Sequence, residues 1–257
     1  MLDSVAPVVE FQRWSVRSRE DQLPARRWNL RLVAGDIALA SMRRHRSADI
    51  VIRTILGLRS PSRGICHVRG RPWADLKVQE VFETRYRIGC LFDGTSWIQN
   101  LTLRENLLWP TMHRGDGLDA AARKLGDRLD WIRSFADRHP SVRGAWRGLV
   151  SDVAINLDRR PSFVSDRVSM VAQIARIAMT DPWVVIASLP MRGIDFKFTP
   201  VLADLWAAWL DADATIIAFD RDEVLCRAAT GHPPIRLDRS TRNRVDRSAS
   251  DHPGDPS

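Results

Sequence analysis

Three short runs of nearly unbroken apolar residues, IGCLF at 88–92, WVVIAS at 183–188 and TIIAF at 215–219, set the terms for any fold of this chain. A strand that is apolar on both sides cannot lie at a surface, so each run reads as a strand buried on both faces. Between them the pattern changes to helical spacing. In LDAAARKLGDRLDWIRSF, Leu118, Ala121, Ala122, Leu125, Leu129, Ile132 and Phe135 recur every three or four positions. Val168 to Met179 forms a second helical stretch, and VLADLWAAWL a third, with Leu202, Leu205, Trp206 and Trp209 on one side. Strands that alternate with helices predict a largely parallel sheet covered on both faces.

The first third is different. PVVEFQRWSVR, WNLRLVAGD and DIALAS are short, partly alternating runs with Gly35 at a turn, and they predict strands. Ala48 to Leu58 reads as a helix stopped by Ser60, Pro61, Ser62 and Gly64, followed by ICHVRG as strand and turn. PIRL is the last strand expected. From Asp238 onward the chain is Arg, Ser, Asp and Pro, a composition that cannot bury a core and predicts a disordered tail over 238–257.

One segment carries more than architecture. GDIALASMRRHRSADIVIRTILGL, from Gly35 to Leu58, resembles the strand, phosphate-binding loop and helix of ABC transporter ATPase subunits, whose helix ends in a Gly-Leu pair. Met42 to Ile50 stand, without a gap, where that family has a GPSGSGKST-like loop. By this resemblance Met42 and Ser47 occupy the places of the two glycines. Ala48 replaces the lysine that reaches the phosphates, and Asp49 the hydroxyl that holds magnesium. A carboxylate there repels a polyphosphate.

Further landmarks fall in register over roughly residues 8 to 237. RYRIGCLF resembles the strand into the Q-loop, with Asp93 in place of the glutamine, and NLTLRENLLWP resembles the loop NLTVxENLxLP. VSDRVSMVAQIARIAMTDPWVVIASLPMRGID is similar to the run from signature motif to D-loop. Arg176, Asp181, Pro182, Pro190, Gly193 and Asp195 match that run. Of the signature loop only Ser165 remains, with Asp166 and Arg167 at its glycines; Ser188 and Leu189 replace the Walker B aspartate and the glutamate that orients water. In TIIAFDRDE, Arg221 stands for the H-loop histidine. FQRWSVRS places Ser18 at the adenine-stacking aromatic, with Trp14 as a shifted candidate.

The resemblance implies a P-loop NTPase-like ABC ATPase fold: an α/β domain over 1–237 with a mostly parallel sheet, an N-terminal antiparallel β part and a helical insert over about 112–165. It also implies partners, a membrane permease subunit and a second ATPase subunit or a second copy of the chain, and a cytoplasmic place on the inner membrane face. The loop wording is closest to importers of the lipid-trafficking type. Trp97 and Trp109 lie in the region that faces the membrane subunit in that family, and are the candidate partner contacts.

Phosphoryl transfer is positioning and charge neutralisation by cradle, lysine, metal and oriented water. With all of these replaced together, no catalytic residue and no ATP or magnesium site is expected, and the chain reads as a scaffold or regulator in a transport complex. Two alternatives remain open: a divergent ATPase that holds nucleotide through rebuilt contacts, for which Arg43, Arg44, His45 and Arg46 offer cations, and a soluble binding module that reuses the fold. A chain drifting without function is a further reading.

Composition narrows the rest. The 257 residues at 44% apolar content can bury one large core. Cys66, Cys90 and Cys226 lie far apart, which argues against a zinc site or a disulfide framework and fits a reducing compartment. His67, His113 and His139 show no ligand spacing. The N-terminus shows no secretory pattern, and no stretch approaches the roughly 18 to 20 apolar residues of a membrane span. The net charge of +8 is almost all arginine, scattered rather than striped, which argues against nucleic acid as partner and fits docking near an anionic leaflet.

Overall fold

The computed structural model describes residues 6–16, 28–40, 45–92, 96–191, 194–220 and 222–237, with the backbone alone at 45–47. Two sheets form. Strands β1 (Val9–Ser15), β2 (Trp28–Leu32), β4 (Arg63–Val68) and β5 (Arg71–Pro72) make an antiparallel sheet in the order β2-β1-β4-β5. Strands β3 (Ile37–Ala40), β6 (Ile88–Leu91), β7 (Val184–Ser188), β8 (Thr215–Phe219) and β9 (Ile235–Arg236) make a parallel sheet in the order β6-β7-β8-β3-β9. The expected mixture of a parallel core sheet and an N-terminal antiparallel part is therefore what the chain builds.

Alternation along the parallel strands sorts the core into two halves. Ala38, Ala40, Val184, Ile186, Ile217 and Phe219 face α1 (His45–Ile55) and the inner side of the antiparallel sheet, where Phe11, Trp14, Leu30 and Leu32 lie. Ile37, Leu39, Val185, Ala187, Ile216 and Ala218 face the helical layer. That layer comprises α3 (Leu103–His113), α4 (Leu118–Ser134), α5 (Arg143–Ile155), α6 (Asp166–Ala178) and α7 (Thr199–Asp211). Both faces being covered explains why the central strands are fully buried.

Helix α1 ends earlier than its pattern suggested. Gly57 adopts φ +64°, its N–H donates to Thr54 O, and Leu58 N–H reaches back to Arg53 O at 2.8 Å. This left-handed glycine closure stops the helix before Ser60 and Pro61 are reached. Its last carbonyls are taken by side chains from further along the chain: Trp73 Nε1 donates to Ile55 O, and Arg85 to Leu56 O and Gly57 O.

Two corrections concern the segments after β5. Residues 78–86 form a helix, α2 (Val78–Tyr86), so Arg85 and Tyr86 belong to it and the strand of RYRIGCLF starts only at Ile88. NLTLRENLLWP is a helix N-terminus rather than a loop. Thr102 Oγ1 accepts from Glu105 N–H, while Glu105 Oε2 accepts from Thr102 N–H at 2.7 Å, a reciprocal cap that starts α3. Helix α3 thus begins at Leu103, ahead of the stretch over which the helical insert is expected. The short α8 (Val224–Thr230) precedes β9, and the expected tail lies outside the described residues.

Candidate functional site

The register of the parallel sheet places the sequence landmarks. Ala40, at the end of β3, is level with Phe219 of β8, and Phe219 is level with Ser188 of β7. The carboxyl ends of these strands, where open α/β sheets bind ligands, therefore form one edge. Helix α1 starts just beyond β3 on that edge. Ala48 is 3% exposed and packs in the core between the sheets; Asp49, one residue on, points outward and pairs with Arg53 at 2.9 Å. Met42, Arg43 and Arg44 lie outside the described residues, as do the side chains of His45, Arg46 and Ser47.

At the end of β7, Ser188 is buried and neutral. Leu189 takes φ +47°, a conformation costly for a side-chain-bearing residue, and is held by its N–H to Phe219 O at 3.0 Å. Asp93, Gly193, Arg221 and Ser18 lie outside the described residues. Trp14 cannot serve as a shifted stacking residue. It is fully buried, with its ring 4.5 Å from Phe11 in a stacked pair and 5.1 Å from Trp28.

The signature-like stretch opens a helix. Ser165 is the N-cap of α6, accepting from Val168 N–H, and Asp166 in the first turn complements the helix dipole. Arg167 reaches Asp195 at 3.1 Å, and Lys197 lies 3.4 Å from the same carboxylate. Two landmarks far apart in sequence are so joined through charge within one chain, at an exposed and weakly stabilising contact.

What sequence reasoning missed is the polar stripe on α6. Ser169, Gln173 and Arg176 lie four and three residues apart, on one helical face. Gln173 accepts from Phe92 N–H at 2.9 Å and from Ser96 Oγ at 3.0 Å, and donates to Phe92 O. Arg176 donates to Ser96 O and Oγ, both at 2.9 Å, and sits 4.5 Å over the Trp97 ring. Trp97 Nε1 donates to Ser169 Oγ at 2.7 Å. Burial draws the Arg176 guanidinium below its usual value, and the Trp97 face and Ser96 oxygens compensate for lost water. Trp97 is thus 8% exposed, a packing element rather than a surface anchor.

Trp109 is the tryptophan that presents a surface, at 51% exposure. With Phe82, Tyr86 and His113 it lines a groove of about 520 Å³ between α2 and α3. Phe82 and Trp109 flank the His113 ring at 5.7 and 6.5 Å. Arg114 lies over Tyr86 and pairs with Glu83 at 3.3 Å.

Layer order, strand order and the helix that follows β3 define a P-loop NTPase-like α/β fold. More narrowly, the fold is that of the ATP-binding subunits of ABC transporters. The ATP-binding cassette MJ0796, in a post-hydrolysis dimer bound to ADP and Pi, superposes at a TM-score of 0.64 with 16% identity over 86% of this chain and 90% of that one. CbiO1 from Clostridium perfringens, part of the ABC transporter complex cbiONQ, gives 0.60 with 13% identity over 84% and 79%. An ATP-binding subunit of another ABC transporter gives 0.60 with 17% identity over 83% and 80%. No protein-family model and no curated protein matches the chain. Among the described residues no helix is long and apolar enough to cross a membrane.

Proposed function

We propose that this chain is a non-catalytic subunit of a membrane transport complex, a scaffold or regulator built on the ABC ATPase fold. The observation that carries the reading is Ala48, a buried methyl where the phosphate-reaching lysine of that fold belongs. Its neighbours extend the mismatch. Asp49 adds negative charge where a hydroxyl would hold magnesium, Ser188 offers no charge to a metal, and Leu189 cannot orient a water. The described side chains of this edge do not fit magnesium-nucleotide. Removing one such group costs several kcal/mol of transition-state stabilisation; removing them together leaves nothing to position or neutralise the γ-phosphate.

The surfaces away from this edge support a docking role. The α2–α3 groove, with exposed Phe82 and Trp109, is the proposed seat of a membrane permease subunit, because clustered exposed aromatics mark protein contacts. A second ATPase subunit, or a second copy of the chain, is the other proposed partner, in keeping with the dimer of MJ0796 and the complex to which CbiO1 belongs. The protein then works at the cytoplasmic face of the membrane.

Calorimetric titration with ATP and magnesium up to millimolar nucleotide tests the reading. No binding heat and no thermal stabilisation are expected. Saturable binding overturns it, and favours a divergent ATPase that has rebuilt its contacts.

A further inference from the structure

The segment 155–163, which runs from the last residue of α5 towards α6, carries large apolar side chains that the core does not use. Ile155 is 74% exposed and Phe163 71% exposed, and Arg159 and Arg160 between them are exposed as well. We infer that this segment is a lipid-contacting loop: it docks on an anionic leaflet, with Ile155 and Phe163 entering the interface and Arg159 and Arg160 binding lipid phosphates. The inference goes beyond the scaffold reading, since a leaflet holds this loop whether or not a permease sits in the α2–α3 groove.

The core-facing places along the segment are already filled. Leu157 and Val164 pack against the helical core, and Pro161 is buried. The first N–H groups of α3 tie the backbone down: Leu103 N–H donates to Arg159 O and Arg104 N–H to Leu157 O, both at 2.8 Å. Arg159 N–H donates to Asn156 O and Phe163 N–H to Arg160 O, both at 3.0 Å. A loop fixed in this way cannot fold Ile155 and Phe163 inward without losing those bonds. Two large apolar side chains held out by one clamped loop differ from scattered exposure and mark a contact.

Charge selects the partner. The segment has one carboxylate, Asp158, and Arg104 holds it with bonds from Nε at 2.9 Å and Nη2 at 3.3 Å. Asp152 and Asp166 belong to the flanking helices, a turn back on α5 and at the start of α6, where the dipole offsets the charge of the latter. No described carboxylate pairs with Arg159 or Arg160, so both guanidinium forks stay available. Phosphodiesters accept such forks through two parallel bonds, and arginines gain from the negative potential of an anionic surface. Shape favours lipid over protein. Side chains exposed to this degree stand clear of the surface around them; a protein partner needs a preformed pocket for each, whereas a fluid leaflet closes around both.

The test is flotation of the full chain, without nucleotide, with vesicles of phosphatidylcholine mixed with phosphatidylglycerol and with vesicles of phosphatidylcholine alone. Binding is expected to the anionic vesicles only, and should fade as salt screens the headgroups. Arg159→Gln and Arg160→Gln should each weaken it about fivefold, the ratio of about 1 kcal/mol for an arginine near the surface. Phe163→Ser should weaken it about tenfold, as expected for a ring partly withdrawn from water. Leu58→Ser with Val78→Ser removes similarly exposed apolar side chains elsewhere and should leave binding unchanged. Equal binding to neutral vesicles, undiminished binding in the Phe163 or arginine variants, or an equal loss in Leu58→Ser with Val78→Ser overturns the proposal. No flotation with anionic vesicles also overturns it, and leaves a protein as the occupant of the loop. Because nucleotide is absent, a negative result leaves the scaffold reading standing, and saturable ATP binding leaves the lipid contact standing.

Discussion

Replacing Gln173 by leucine removes the polar end of a 3% exposed side chain while keeping most of its volume, so the loss falls on hydrogen bonding. Three bonds go: those with Phe92 N–H, Phe92 O and Ser96 Oγ. A buried donor left without a partner costs about 1–3 kcal/mol, and the half-buried Phe92 backbone recovers part of that from water. The Ser96 hydroxyl keeps Arg176 as a neighbour and contributes little. The expected destabilisation is about 2–3 kcal/mol. With a urea m-value near the upper end of the range for small proteins, about 3 kcal/mol per molar, the unfolding midpoint falls by about 1 M. Urea unfolding followed by tryptophan fluorescence gives the midpoint, and amide hydrogen exchange shows where protection is lost. The loss should be concentrated at Phe92 and its neighbours. A midpoint unchanged within about 0.2 M, or exchange that rises evenly over the chain, would refute the view that the α6 stripe holds the exit of β6.

Other perturbations separate backbone from packing and charge. Gly57→Ala places a methyl 2.4 Å from the Trp73 ring at φ +64°, and should cost about 2–3 kcal/mol by thermal or urea unfolding, whereas Gly70→Ala, at φ +75° with open space around it, should cost about 1 kcal/mol. Trp14→Ala empties a fully buried site beside Phe11 and Trp28 and should cost about 3–5 kcal/mol; Trp14→Phe, which also removes an indole N–H that has no hydrogen-bond partner among the described residues, should cost clearly less in the same assay. Burial pushes the Cys66 thiol up to about 12. A raised thiol pKa makes the unfolded chain release its proton first, so this contribution to stability is complete below pH 9 and declines between about 9 and 12, and a Cys66→Ala chain should show a shallower alkaline loss in urea unfolding.

The elements that sequence located best are those whose signal is purely local. TIIAF becomes β8 without adjustment, and LDAAARKLGDRLDWIRSF becomes α4 as far as Ser134, because an unbroken apolar run and 3.6-residue spacing are written in adjacent residues. The reciprocal Thr102–Glu105 cap was equally local, as the T-x-x-E pattern shows, and reading it would have turned the NLTLRENLLWP loop into the start of α3. α2 gave weaker notice. Its exposed Val78 and Phe82 break the amphipathic pattern, and Phe82 lines a groove rather than the core.

The identities of Ala48, Asp49, Ser188 and Leu189, the residues expected at the motif positions, were legible in the chain, since residue identity at a spaced motif needs no coordinates. What those residues do instead was not. The burial of Trp97 depends on Ser169 and Arg176, more than seventy residues away. Sequence by itself determined most strands, most helices and the order of landmarks that resembles ABC ATPase subunits, because each is a property of neighbouring side chains. Tertiary structure alone decided which tryptophan faces solvent and which polar groups clasp the exit of β6, because those depend on contacts between segments remote in the chain, where packing and desolvation rather than local propensity set the outcome.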